Sequence, residues 1–368
     1  MSNLKTNAMK KTLLLISAAV CLFSACEEED DNKPKVVTEP DYVIQTEQAV
    51  ILYEGSYQKN NSDLSELSVK VNGLSADVYY KANGKYLGDT GQDLLHIGQY
   101  YYVSVFGSGY VTKLEEGTYK EVARHTLSQP RYLASDGEYL YVSSYANYVY
   151  RLSLDDLSVN DSVSVGSYPE GLAIEGNWLL CCNSGYGFGN TISVVDLKTF
   201  EAVKDVAVPQ NPTKIKAAGN GCAYFITTAY TPDYSSAIAT LSSLDVDNGF
   251  AVDSITHATH MDLSADGNWL YLVNCEPNYT SYTYETSFAK YDLRARSLSE
   301  AFFDGETITD TLATQSIYLF NINPKNGEIF VGTSDYTSNS SIYVTDSLGR
   351  GWCKIEDAGG VNASKVVF

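Results

Sequence analysis

The chain has 368 residues, too many for one apolar core unless that core is built from repeats. It carries 45 acidic and 25 basic residues for a formal net charge of −20, without the clustered Lys and Arg that phosphate backbones require, which excludes a nucleic-acid partner. Such a charge suits a soluble chain with neutral or partly cationic ligands and says nothing about fold.

Residues 1–25 read as a targeting segment, with Lys10 and Lys11 as its positive region and Thr12 to Phe23 as an apolar stretch too short to span a bilayer. Ser24-Ala25-Cys26 resembles a bacterial lipobox, in which Cys26 becomes the lipidated first residue; the alternative is an ordinary signal peptide with an incidental Cys. The acidic run Glu27 to Asp31 resembles the surface-export signal of Bacteroidota-type lipoproteins and is equally a solvated tether. Residues 26–40 are expected to form an acidic flexible tether. The expected location is the outer membrane, lipid-anchored and exposed at the cell surface.

From residue 41 onward Tyr, Val, Thr, Ser and Leu alternate in short runs punctuated by Gly, Asn and Asp, and no amphipathic helix is expected. Gly98, Gly137, Gly176, Gly221, Gly267 and Gly327 each precede an aromatic strand, at intervals of 39, 39, 45, 46 and 60 residues. A tight hairpin needing positive φ accounts for glycine there. Gln129 to Val208 runs through one strand plan twice, with anchor prolines at Pro130 and Pro169. Four-stranded units of this period are propeller blades.

Six turns give six blades, and the piece from Ala49 begins on a second strand. Asn362 to Phe368 looks like the first strand that piece lacks, so pairing the two ends completes a seventh blade and removes free sheet edges. The expected fold is all-β: a seven-bladed β-propeller over residues 41–368, closed by pairing of the N- and C-terminal strands. Six or eight blades are the alternatives. Cys181, Cys182, Cys222, Cys275 and Cys353 are odd in number and irregular in spacing, which fits neither a disulfide framework nor a zinc site. Cys181 and Cys182 read as packing residues within a strand.

The run ILYEGSYQKNNSDLSEL resembles the N-terminal blade of the YncE-like (DUF5074) surface propeller lipoproteins. Glu54-Gly55, Asn60, Asn61 and Leu64-Ser65 match that family's pattern, with Tyr53 in place of its usual Asn. ANGKYLGDTGQDLLHIGQYYYV resembles the family's link between blades one and two. The likeness spans Val43 to Phe368 and implies the propeller fold. In the family's BtuG group the implied activity is capture of vitamin B12 (cobalamin) for an outer-membrane transporter. For this chain the resemblance implies a corrinoid as bound ligand rather than cofactor, no enzymatic turnover and a TonB-dependent transporter as partner.

Nothing in the chain reads as a catalytic motif, and the Gly-rich Gly185 to Gly189 lies between strands, where a phosphate cradle is not expected. His257 and His260 fall near the rim, as polar rim residues or as ligands to a metal or a corrinoid cobalt; no metal site is expected.

In a propeller, the loops between strands two and three share a face with the links from strand four to the next blade. Here those segments are rich in aromatics and amides: Tyr57, Phe106, Tyr145, Tyr148, Tyr168, Asn183, Tyr186, Phe188, Tyr230, Tyr234, Asn274, Tyr279 and Tyr336, joined by Arg131, Glu170, Lys214 and His260. The opposite turns, DLSVND, DLKTFE, DVDNGF and DLRARS, are short and charged. Tyr offers a large, stiff contact area with a polar tip, so the first face is the expected ligand face; the competing reading is that some of these Tyr only pack between blades. Arg131 and Glu170, each beside its anchor proline, are expected at the mouth of the central channel. A glycan-binding or adhesive propeller is the alternative to corrinoid capture, and a propeller lyase or hydrolase the second alternative.

Overall fold

The computed structural model describes residues 36–37, 42–68, 73–231, 237–278, 283–299, 302–303 and 306–368. They form seven antiparallel sheets, the seven blades of a β-propeller. The blades begin with inner strands Gly91–Ile97, Pro130–Ser135, Pro169–Glu175, Pro212–Ala217, His260–Leu263 and Ile317–Ile322. All six turn glycines have positive φ, 89° at Gly137 and 59° at Gly176 among them, as tight hairpins demand. The remaining blade draws on both ends of the chain. Ala363–Val367 is its inner strand and pairs with Gln48–Tyr53, Val366 lying opposite Ile51.

Each seam between neighbouring blades holds one apolar cluster. Ile51, Ala363 and Val366 of blade one pack with Leu319, Phe330 and Val344 of blade seven. Because successive strand residues point to opposite faces, the two faces of one strand serve two seams. Cys181 thus lies in the seam with blade three and Cys182 in the seam with blade five, both fully buried and unpaired. Blades buried on both faces explain why the strands read as apolar runs rather than as strict alternation.

Every seam also carries a polar stitch between inner strands or their turns. Leu133 N–H donates to Asp93 Oδ2 (3.0 Å), Ile322 N–H to Asp262 Oδ2 (2.9 Å) and Val366 N–H to Asn321 Oδ1 (2.9 Å). Gly219 and Gly221 donate their N–H groups to Glu175 at 2.9 Å each. Lys365 pairs with Asp93 at 3.4 Å, Lys216 pairs with Asp262, and Arg131 pairs with Glu170 at 2.8 Å.

Three features depart from the sequence-based expectation. A helix at Val78–Asn83 follows blade one, its first N–H groups received by the buried Asp63 carboxylate at 3.1 Å from both Tyr79 and Tyr80. A second helix, Glu306–Leu312, buries Ile308 and Leu312 and sits within the longest repeat interval. Both are too short for amphipathic periodicity to reveal. Third, Val36–Val37, inside the stretch expected to be tether, pairs with the outer strand Trp352–Ile355 as a fifth strand of blade seven. Buried Glu328 then receives Tyr42 Oη, the Gln45 N–H (2.5 Å) and Thr46 Oγ1, fixing the chain's path into blade one. Cys26 and the rest of residues 1–35 lie outside the described residues, and no described helix is long and apolar enough to cross a membrane.

Asp262 anchors the seams to both neighbours, so Asp262→Ala should cost about 1–3 kcal/mol in denaturant unfolding, because the buried Ile322 N–H loses its acceptor while the partly exposed Lys216 can turn to water. Glu47→Ala, at an exposed site, should change stability by less than about 0.5 kcal/mol.

Candidate functional site

The inner strands surround a central cavity of about 850 Å³. In six blades, among the described residues, the inner strand takes on one extra residue near its start, where it leaves the preceding link. Such bulges leave a residue unpaired and re-aim side chains. The residues left unpaired in this way are Gln92, Arg131, Tyr132, Glu170, Gly171, Thr213, Tyr318 and Ser364.

The bulges sort these residues by direction. Two residues after the anchor prolines Pro130, Pro169 and Pro212 come Tyr132, Gly171 and Lys214, and all three line the cavity. One residue after the first two prolines come Arg131 and Glu170, which turn into the seams instead. Arg131 Nε donates to Glu170 Oε2 at 2.8 Å, its Nη1 donates to Gln92 Oε1, and Tyr145 Oη donates to Glu170 Oε1. The guanidinium also lies 4.9 Å from the ring centres of both Phe106 and Tyr145. Burial works against the Arg131 charge, but Glu170 holds its pKa above the ordinary value. The pair expected at the channel mouth is thus a clamp joining blades two, three and four, with its charges used internally.

A row of rings extends above this clamp. Phe106 meets Tyr145 edge-on at 5.4 Å, Tyr145 meets Tyr168 at 4.9 Å, and Tyr168 meets Tyr186 at 5.2 Å. Exposure increases outward, from half-buried Tyr145 through Tyr168 at 39 % to Tyr186 at 71 % and nearby Phe188 at 67 %. Tyr168 and Tyr186 hold positive φ, 50° and 56°, a conformation bulky side chains adopt only when their surroundings impose it. Here Ser184 Oγ and the Ser184 N–H both bind the Tyr168 carbonyl, at 2.9 and 3.1 Å.

Other expected site residues disperse. Tyr57 and Tyr148 are exposed on their own blades, whereas Tyr230, also exposed, brings its ring close to Gly187 in the loop of blade four. Asn183 is buried, its amide donating to Thr191 and Ser193 within blade four, so it shapes the loop from inside. Asn274 donates to Glu276 at 3.1 Å beside a smaller pocket on blade six. Tyr234 and Tyr279 lie outside the described residues.

The opposite side of the mouth gathers Lys214, His260 and Tyr336 with two residues the sequence reading did not single out as a pair, Glu54 and Tyr318. Tyr318 Oη donates to Glu54 Oε2 at 2.6 Å and its ring meets Tyr336 edge-on at 5.7 Å. Burial pushes the Glu54 carboxyl up, and burial followed by the charge of Lys214 keeps His260 neutral, its pKa well below the ordinary value. Lys214 Nζ donates to the Thr259 carbonyl at 2.8 Å, and burial lowers its pKa to about 8. The offset of two from the anchor proline marks Lys214 and Tyr132 in the sequence; nothing local pairs Glu54 with Tyr318, which come from blades one and seven. Among the described residues, no three His, Cys, Asp or Glu side chains come together as a metal-ligand set.

No protein-family model matches the chain, and no curated protein matches it. Solved structures with the same fold include hydrazine synthase of Kuenenia stuttgartiensis, 16 % identical with a TM-score of 0.56, over 68 % of this chain and 74 % of that one. They also include a quinonprotein alcohol dehydrogenase-like protein of Bacteroides thetaiotaomicron, 13 % identical with a TM-score of 0.56, over 86 % of this chain and 77 % of that one. At this identity the likeness shows the propeller fold alone, although one of these neighbours is an enzyme by name.

Two outcomes follow from this geometry. Arg131→Met should destabilise the protein by about 3–5 kcal/mol in chemical unfolding, because Glu170 is left buried without its counterion. In an NMR titration of the lysine side chains, Lys214 should lose its proton near pH 8, well before the exposed lysines, so any affinity that uses its charge should decline above that pH.

Proposed function

We propose that this protein is a surface lipoprotein that binds a large, flat, amide-bearing nutrient, a cobalamin-type corrinoid, and delivers it to a TonB-dependent outer-membrane transporter without turnover. The observation that carries this reading is the ring row from Phe106 through Tyr145 and Tyr168 to Tyr186, stepping outward over three blades beside exposed Phe188. Rings of this kind provide apolar contact area with hydroxyl tips and lose little entropy on binding. The clamp below supports the row and keeps its charges for itself, which suits recognition rather than acid–base chemistry. Lipid anchoring, export and the transporter come from the N-terminal pattern and from the resemblance of residues 43–368 to surface propeller lipoproteins.

Isothermal titration with cyanocobalamin tests the reading, with stoichiometric binding and no product as the expected result. Tyr186→Ala should weaken binding by about 1–3 kcal/mol, the range for an aromatic anchor. Silence toward cobalamin at micromolar concentration, together with signal on a glycan array, would transfer the same rings to an oligosaccharide ligand. Release of a product from the bound compound would contradict the absence of turnover.

A further inference from the structure

The chain carries a net charge of −20, yet Lys214, Lys216 and Lys365 line the cavity against the carboxylates of Glu54 and Asp93. Lys216 and Lys365 are each occupied, one with Asp262 and the other with Asp93. Lys214 differs: among the described residues no carboxylate oxygen lies within 4.0 Å of its ammonium, and its hydrogen-bond partner is the neutral Thr259 carbonyl. An ammonium has three donors, so two remain for the cavity. Neighbouring His260 is neutral, and the Glu54 carboxylate is already engaged by Tyr318. Glu54, beyond 4.0 Å, still favours the Lys214 charge, but of the three channel lysines Lys214 is the one with no direct ion pair.

We infer that the channel mouth is a receptor for one anionic group, a carboxylate or a phosphate ester, and that Lys214 recognises it. The group would enter beside the ring row, so that one ligand could lie flat on the rings and place its charge in the channel. The anion site stands on Lys214 and its place in the channel; its link to a corrinoid rests on the function proposed above. Cobalamin carries a phosphodiester in its nucleotide loop, and cobinamide lacks that loop, so the two compounds separate the contributions.

The test has two arms. In the first, inorganic phosphate is titrated into the wild-type protein while lysine side-chain NMR signals are followed. Lys214 is expected to shift saturably, and Lys216 and Lys365 to stay still; a Lys214 signal that does not move at tens of millimolar phosphate overturns the site. In the second, cyanocobalamin and dicyanocobinamide are titrated into wild type and Lys214→Met. Wild type should prefer cobalamin by about 10-fold or more, roughly 1.4 kcal/mol, and the variant should lose that preference while keeping its affinity for cobinamide. An unchanged preference in Lys214→Met overturns the assignment to Lys214. If neither corrinoid binds but phosphate still moves Lys214, the anion site holds and the corrinoid reading falls. The first arm needs no variant, so a folding defect in Lys214→Met does not remove the test.

Discussion

Closing the ring is the constraint on which the rest of this structure depends. Seven sheets can bury both of their faces only if the last packs against the first, and here that contact is made by a blade assembled from both chain ends, Ala363–Val367 against Gln48–Tyr53. Each seam combines an apolar cluster with at least one hydrogen bond or ion pair between blades, the latter using Asp93, Glu170, Glu175, Asp262 or Asn321 as acceptor. The apolar contact supplies most of the burial energy but is non-directional. The polar stitches fix how far one blade can rotate against the next, and four of the five acceptors are carboxylates, so part of the chain's acidity is structural.

Closure also divides the molecule into two unlike faces. On one, the turns are short and place Leu157, Phe200, Phe250 and Arg296 at positive φ, after Asp196, Asp245 and Asp292 in three of them and after Ser153 in the first. Such turns are complete in themselves: Asp196 Oδ1 accepts the N–H of Lys198 at 2.8 Å, and the Phe200 N–H returns to the Asp196 carbonyl at 2.7 Å. On the other face the inner strands begin with bulges, the loops vary in length, and rings from different blades touch. Bulges cost ladder hydrogen bonds, and they collect at the end of the molecule where side chains must be directed into the channel or across a seam. The ring row and the lysine of the channel mouth are both consequences of that arrangement.

Much of the fold was legible in the sequence because it follows from period. The turn glycines counted the blades, and the orphan strand at Asn362 to Phe368 announced the closure. What period does not encode is the direction of a side chain at a bulge. Simple alternation from Pro130 and Pro169 gives no reason to send Tyr132 into the channel and Arg131 into the seam; the extra residue in each inner strand decides that. Asn183 looked like a loop amide and is instead the internal brace of its loop. The short helices at 78–83 and 306–312 escaped because one or two turns carry too little periodicity. Glu54 and Tyr318 meet only because blades one and seven adjoin, a contact between residues 264 positions apart.

The central claim is that one face, defined by the ring row over blades two to four, receives the ligand. Hydrogen–deuterium exchange with and without saturating cyanocobalamin tests it most directly, since it reports location as well as occupancy. The account predicts slowed exchange in the loops around Tyr145, Tyr168 and Gly185 to Phe188, with the turns around Leu157, Phe200 and Phe250 unchanged. Protection confined to those opposite turns, with none in the ring-bearing loops, would contradict it.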